Sequence, residues 1–300
     1  HHTDRRQRQM CIRDSAWPMS KGALSWEQHE HKEWDIRCME VYAAMVDNMD
    51  QGIGKVVAEL ERQGQLDNTL FIYLQDNGGC SEGYGRRSNA ERIKNKKYEP
   101  LGKDGLQTKI WTPMQTRDGR PVRTGPETMP GAEDTFVAYG VGWANASNTP
   151  FRGYKHDGYE GGIATPFIVH WPDGINRSRN GKLVDEVSHL IDLMPTFLSV
   201  SGASYPDRND GEFVKPLEGL SLVRAFRGRA LNRKSPLGFE HHGNLALRDG
   251  RWKIVSMYRG GDEPRKWELY EMVADRSELS DLGSEMPAKL SGMVGQWEAW

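Results

Sequence analysis

The chain has 300 residues, 37% hydrophobic and 27% charged, with 40 basic and 42 acidic side chains and a net charge of -2. That length accommodates a substantial core and two domains, and the even charge balance gives no argument for nucleic acid or an anionic membrane surface as a partner. No apolar run approaches the ~20 residues that span a bilayer, and three cysteines, Cys11, Cys38 and Cys80, have neither the even count nor the CxxC spacing of a disulfide framework or structural zinc site.

Residues 1–15, "HHTDRRQRQMCIRDS", are Arg-rich and lack the apolar core of a signal peptide. They read as a non-native or disordered segment; if non-native, the chain is a gene fragment whose true start lies upstream. Over 34–64, Ile36, Met39, Tyr42, Met45, Val46 and Met49 begin an apolar series at helical spacing. Gly52 and Gly54 weaken its middle and allow a bend. "QGQLDN" supplies the stop, and "TLFIYLQ" then reads as a buried strand. A helix feeding such a strand predicts an α/β layer with a parallel sheet. Ligands in such sheets gather at the carboxyl ends of strands, where Asp76 and Asn77 stand.

Residues 83–150 are polar, rich in Gly, Pro, Arg and Thr, and without periodicity, as expected of an active-site rim or a disordered segment. "TPFIVHWP" (165–172) predicts a second short buried strand. "SHLIDLMPTFLSVSG" (188–202) predicts a helix with Pro195 near its first turn and Gly202 at its end. From about 211 the pattern changes. "LALRDGRWKIVSMY" (245–258) carries a hairpin signal at its Asp-Gly, "KWELYEM" (266–272) alternates like a strand, and 285–300 reads as a closing helix. The expected organisation is an α/β body over 16–210 and a small α+β domain, with an antiparallel sheet and closing helix, over 211–300.

Two stretches carry candidate chemistry. In "LQDNGGCSEGYGR" (74–86), the Asp76 carboxylate and Asn77 amide offer hard oxygens suited to Ca²⁺ or Mg²⁺, and Gly78 and Gly79 let the backbone turn away. Asn-Gly is equally a tight-turn dipeptide. In "FRGYKHDGYEGGIATPFIVHWP" (151–172), Lys155 enters a glycine-rich turn, where its ammonium acts as a compact point charge for an anionic oxygen or is simply solvated.

Taken together the two stretches resemble the sulfatases, most closely the bacterial arylsulfatases of the alkaline-phosphatase superfamily. In that family a strand ending in Asp-Asn-Gly is followed by a Lys-x-x-x-x-Glu-Gly-Gly segment, an apolar strand and Trp-Pro. "MEVYAAMVDNMDQGIGKVVAELERQGQLDNTLFIYLQDNGG", "HLIDLMPTFLSVSGASYP", "PLEGLSL", "FEHHGNLALRDGRWKIV" and "WELYEMVADRSELSDL" are similar to further family segments in the same order, so the likeness covers about residues 26–300. It implies a partial alkaline-phosphatase-like α/β/α sandwich over 16–210, the carboxy-terminal part of the catalytic domain, followed by the small domain. It also implies hydrolysis of a sulfate ester, in which a hydrated formylglycine attacks sulfur while a metal and fixed cations neutralise the sulfate oxygens.

On that resemblance Asp76 and Asn77 are metal ligands, for Ca²⁺ ahead of Mg²⁺. Lys155 is catalytic and binds a sulfate oxygen, Glu160 fixes its turn, and His241 either contacts substrate or serves structurally. The substrate is a small-molecule or saccharide sulfate ester; oligomeric state and compartment (periplasm or cytoplasm) stay open. The family's formylglycine arises from Cys or Ser in C/S-x-P-x-R, upstream of Asp-Asn-Gly. None of the three cysteines fits, and the one formal match, Ser204 to Arg208, falls after Lys155 and reads as coincidence. The resemblance therefore implies that the nucleophile is missing and that the chain alone is nearly inactive. A phosphodiesterase or phosphonate hydrolase of the same superfamily, or a non-catalytic metal-binding module, are the alternatives.

Overall fold

A computed structural model of the chain describes residues 22–108, 112–258, 260 and 264–300; residues 1–15, with Cys11, lie outside them. The chain forms two compact units. One joins the described residues up to Gly54 to Gly78–Ile163; the other joins Lys55–Asn77 to Ala164–Trp300. Helix α1 (Lys32–Arg62) contributes to both and runs unbroken through Gly52 and Gly54. It stops in a Schellman motif: Gly64, at φ 67°, donates to the Glu61 carbonyl, and Gln65 donates to Leu60.

In the first unit, Trp34 and Cys38 of α1 are buried with Val122, Tyr154, Tyr159 and Ala144, the last on helix α2 (Val141–Asn148). Burial pushes the Cys38 thiol up to about 11, so it is a small apolar filler rather than a nucleophile. Asp35 is buried beside it, ion-paired to Arg86 and within hydrogen-bond distance of His29 Nδ1 (2.9 Å). The Trp34 and Trp143 indole N–H groups donate to the carbonyls of Thr128 and Asp35, at 2.9 and 2.8 Å. The aperiodic segment after residue 83 is thus tied to α1 by side chains. It also organises itself. Buried Asn89 donates to the Val122 carbonyl (2.8 Å) and accepts from the Thr124 N–H (3.0 Å), and Arg117 caps the carbonyls of Gly102 and Lys103. Side chains satisfy backbone polar groups that no regular ladder reaches.

In the second unit, β1 (Phe71–Leu74) pairs with β2 (Phe167–His170) antiparallel, in the register Phe71↔His170 to Leu74↔Phe167. The expected parallel pairing is corrected. The chain leaves at Leu74 and returns beside it at Phe167, because the intervening residues form the other unit rather than a helical crossover. The expected burial of β2 is also corrected: Phe167 and Ile168 are exposed by 38% and 59%, since the described sheet ends with these two strands. Helix α3 (Leu193–Ser201) ends at Gly202 (φ 72°), as its sequence predicts. Buried Asp192, just before it, accepts from the backbone of His189 and Leu220 and from Arg233.

The carboxy-terminal sheet is antiparallel in the order β3 (Leu237–His241), β4 (Asn244–Asp249), β5 (Trp252–Ser256) and β6 (Glu268–Glu271), with the predicted hairpin joining β4 to β5. The closing helix α4 (Pro287–Ala299) packs Met293 onto Leu247, Ile254 and Leu269, all essentially inaccessible. Each such side chain contributes about 1.5–3 kcal/mol through burial. Among the described residues no helix is long and apolar enough to cross a membrane.

Lys253 of β5 is fully buried with its ammonium 2.7 Å from a Glu278 carboxylate oxygen, a close ion pair without ideal hydrogen-bond alignment. Lys253→Met removes a buried cation from beside that carboxylate and is expected to cost about 3–5 kcal/mol in denaturant unfolding, whereas adding Glu278→Gln should recover most of the loss.

Candidate active site

Strand β1 ends at Leu74, and two residues later Asp76 is exposed and Asn77 half-buried at the end of this stretch of the second unit. The next residue, Gly78, belongs to the first unit and begins its close backbone contacts. Its N–H donates to the Gly162 carbonyl at 2.9 Å, and a Cβ on Gly78 would lie 1.8 Å from the Gly161 oxygen. A Cβ on Gly161 would in turn lie 2.4 Å from the Arg152 and Gly153 oxygens. Only glycine fits both positions without moving backbone. The glycines of the two motifs are therefore packing partners.

Asn148, the last residue of α2, closes this contact. Its amide oxygen accepts from the Gly79 N–H at 2.8 Å, and its amide nitrogen donates to the carbonyls of Gly153 (2.9 Å) and Gly161 (2.8 Å). The Lys155 N–H donates to the Gly79 carbonyl at 3.0 Å. Five backbone groups are thereby fixed around this contact. His156, next in the chain, has φ 83°, a left-handed conformation uncommon outside glycine and held here by the surrounding bonds. Glu160 is buried and opens the short helical turn Glu160–Ile163. Arg152 lies over the Tyr159 ring, 4.1 Å from its centroid.

The Lys155 ammonium is 3.1 Å from Glu82 Oε2, which also accepts from the Cys80 thiol at 2.9 Å; the other carboxylate oxygen is 3.4 Å from His156 Nε2. The thiol bond, reinforced by Lys155 and His156 against partial burial, holds the Glu82 carboxyl down at about 2. Burial and the neighbouring Glu82 raise the Cys80 thiol, so it stays a protonated donor.

The structure brings Lys155 to the loop that follows Asp76 and Asn77, and pairs it with Glu82. His241 belongs to the second unit, at the exposed tip of the β3–β4 hairpin, with its ring 4.3 Å from that of His242. Ser204 and Arg208 carry the formal motif match. Ser204 is exposed, and Arg208 lies over Phe213 and caps the Gly211 carbonyl within a surface hairpin. Sequence reading missed Glu82, Asn148 and Cys80. The only available signal was an acidic residue shortly after the Asp-Asn-Gly-Gly turn, and nothing in the local pattern marks Asn148.

The sulfatase family model matches residues 7–203, and that of the N-sulphoglucosamine sulphohydrolase C-terminal region matches 154–291. An uncharacterized sulfatase of Schizosaccharomyces pombe is 32% identical over 281 residues, covering 92% of this chain and 46% of that protein. An arylsulfatase of Klebsiella aerogenes is 29% identical over 230 residues, covering 75% and 43%. The solved structure of Ps i-CgsB in complex with k-i-k-neocarrahexaose superposes with a TM-score of 0.54 at 23% identity, over 86% of this chain and 42% of that one. The chain spans about half the length of the curated relatives it matches. The mixed α/β architecture with a sheet-rich carboxy-terminal part is alkaline-phosphatase-like.

Because Glu82 is held below its ordinary value of 4.5, its contribution to stability is complete above that pH and is lost as pH falls toward about 2. In pH-resolved unfolding, the stability difference between the native chain and Glu82→Gln should be largest near neutrality and shrink across that window. Asn148→Ala should cost about 1–3 kcal/mol and speed amide exchange at Gly79, because partners of its side chain lose their bonds.

Proposed function

The chain belongs to the sulfatase family, and on that premise we propose that it works in a sulfuric ester hydrolase of arylsulfatase type, in metal-assisted hydrolysis of a sulfate ester. The anchoring of Lys155 in the loop after Asp76 and Asn77 is the observation that best supports this reading. A backbone bond to Gly79 and the Glu82 carboxylate both hold this cation, which sits at the end of a flexible stem.

Within that reading, Asp76 and Asn77 hold the metal. Consecutive carboxylate and amide oxygens are hard donors, and Gly78 turns the chain aside at once, so the pair fits a hard divalent ion, Ca²⁺ ahead of Mg²⁺. When bound, the ion supplies charge neutralisation at a sulfate oxygen. Lys155 binds a sulfate oxygen and stabilises the charge that develops as the ester bond breaks. His241 contacts the alcohol part of the substrate. An aryl sulfate is the first substrate to test, since the Klebsiella aerogenes relative carries that name. Neither the cysteines nor Ser204 supplies a nucleophile. We place that function in the part of the family's length that this chain does not match, so hydrolysis requires a protein carrying both parts.

In such a protein, Lys155→Ala is expected to lower turnover of an aryl sulfate by about 10²–10³-fold. Undiminished turnover would remove Lys155 from the chemistry. Asn77→Ala should lower bound metal, measured by elemental analysis of the purified protein. If metal content and activity both survive, Asp76 and Asn77 form a turn and nothing more. Tight calorimetric binding of Ca²⁺ and an aryl sulfate, with no hydrolysis, would instead favour a binding module.

A further inference from the structure

Glu82 enters the reading above only as an ion-pair partner of Lys155, yet its carboxylate engages three neighbours within the first unit. One oxygen takes both the Lys155 ammonium at 3.1 Å and the Cys80 thiol at 2.9 Å; the other faces His156 at 3.4 Å. We propose that Glu82 is the positioning residue for Lys155, fixing the direction of its ammonium. This rests on the reading that Lys155 acts on a sulfate oxygen.

An ordinary surface ion pair contributes little because two long side chains must be ordered to make it. Here much of that ordering is already supplied. The Lys155 backbone is bonded to Gly79, three residues before Glu82, and Glu82 is itself fixed from two other sides. The pair is partly sheltered, with side chains 30% and 25% exposed. Cys80, Lys155 and His156 are the titratable groups facing the carboxylate, and protonated Cys80 adds a donor rather than a competing anion. An ammonium carries three donors, so engaging Glu82 is compatible with engaging an anionic oxygen. The negative charge of Glu82 also raises the cost of deprotonating Lys155, which keeps the cation intact toward alkaline pH.

The test compares Glu82→Gln, Glu82→Asp and Lys155→Ala in a protein carrying both parts of the family length, with an aryl sulfate as substrate. Glu82→Gln should lower kcat about 10–100-fold with a smaller change in KM, because the cation is misplaced rather than lost. The alkaline limb of its kcat/KM profile should move to lower pH, and Glu82→Asp should restore part of both effects. A purely structural role would not move that limb. The same variants of the 300-residue chain offer a readout without activity. The ¹³Cε order parameter of Lys155 should fall in Glu82→Gln and recover in Glu82→Asp. Native kcat, an unmoved alkaline limb and an unchanged order parameter in Glu82→Gln, alongside an inactive Lys155→Ala, would overturn the proposal and leave the role of Lys155 standing. Full activity of Lys155→Ala would end both, so the two failures are distinguishable.

Discussion

Backbone presses directly on backbone where Gly78 faces Gly161, and the local geometry of the candidate site depends on that contact. The Gly78 N–H to Gly162 carbonyl bond and the missing space for any Cβ leave one relative placement for the two segments. Asn148 then locks them by using both ends of its amide on three backbone groups. Such an arrangement is rigid because each polar group has a stated partner and no side chain must reorder to make room. The loop bearing Lys155 inherits its position from these bonds, and its left-handed His156 is held by them.

Charge is handled differently in three places. Lys253 and Glu278 are fully inaccessible and ion-paired, so removing either takes an opposite charge away from a buried ion. Asp35 is buried against Arg86 and His29, and there the Arg86 ion pair ties the aperiodic segment to α1. Glu82 and Lys155 are only partly sheltered, and Glu82 has the thiol and imidazole of its neighbours as further contacts. Partial exposure keeps the cation reachable from solvent while the carboxylate limits its motion. The first two arrangements serve the fold; the third has the exposure that contact with a small anion requires.

Hydrophobic surface tells a complementary story. The apolar series that predicts α1 is genuine, and the helix forms, yet Met45 and Val56 are more than half exposed among the described residues. Ile168 of β2 is also more than half exposed, and Phe167 of β2 and Met194 and Phe197 of α3 are exposed by roughly two-fifths to one-half. Pattern therefore set secondary structure here without burying it. The carboxy-terminal sheet behaves in the opposite way, with Leu247, Ile254 and Leu269 sealed under Met293 of α4. That sheet and α4 enclose a core, whereas these apolar faces are left uncovered among the described residues.

The sequence by itself determined the elements whose signals are local. Helical spacing marks α1, Gly202 marks the end of α3, Asp249-Gly250 marks the β4–β5 hairpin, and the Asp-Asn-Gly-Gly and Lys155 motifs mark the candidate site. Each depends on residues a few positions apart, whose backbone preferences and side-chain periodicity are written directly in the chain. The tertiary structure alone decided that β1 and β2 run antiparallel, that β2 is exposed, and that Glu82 and Asn148 hold the lysine loop. Glu82 meets Lys155 from 73 residues away and Asn148 meets Gly79 from 69. Contacts at that separation leave no period in the sequence, because they are set by where the folded chain returns rather than by what its neighbours prefer.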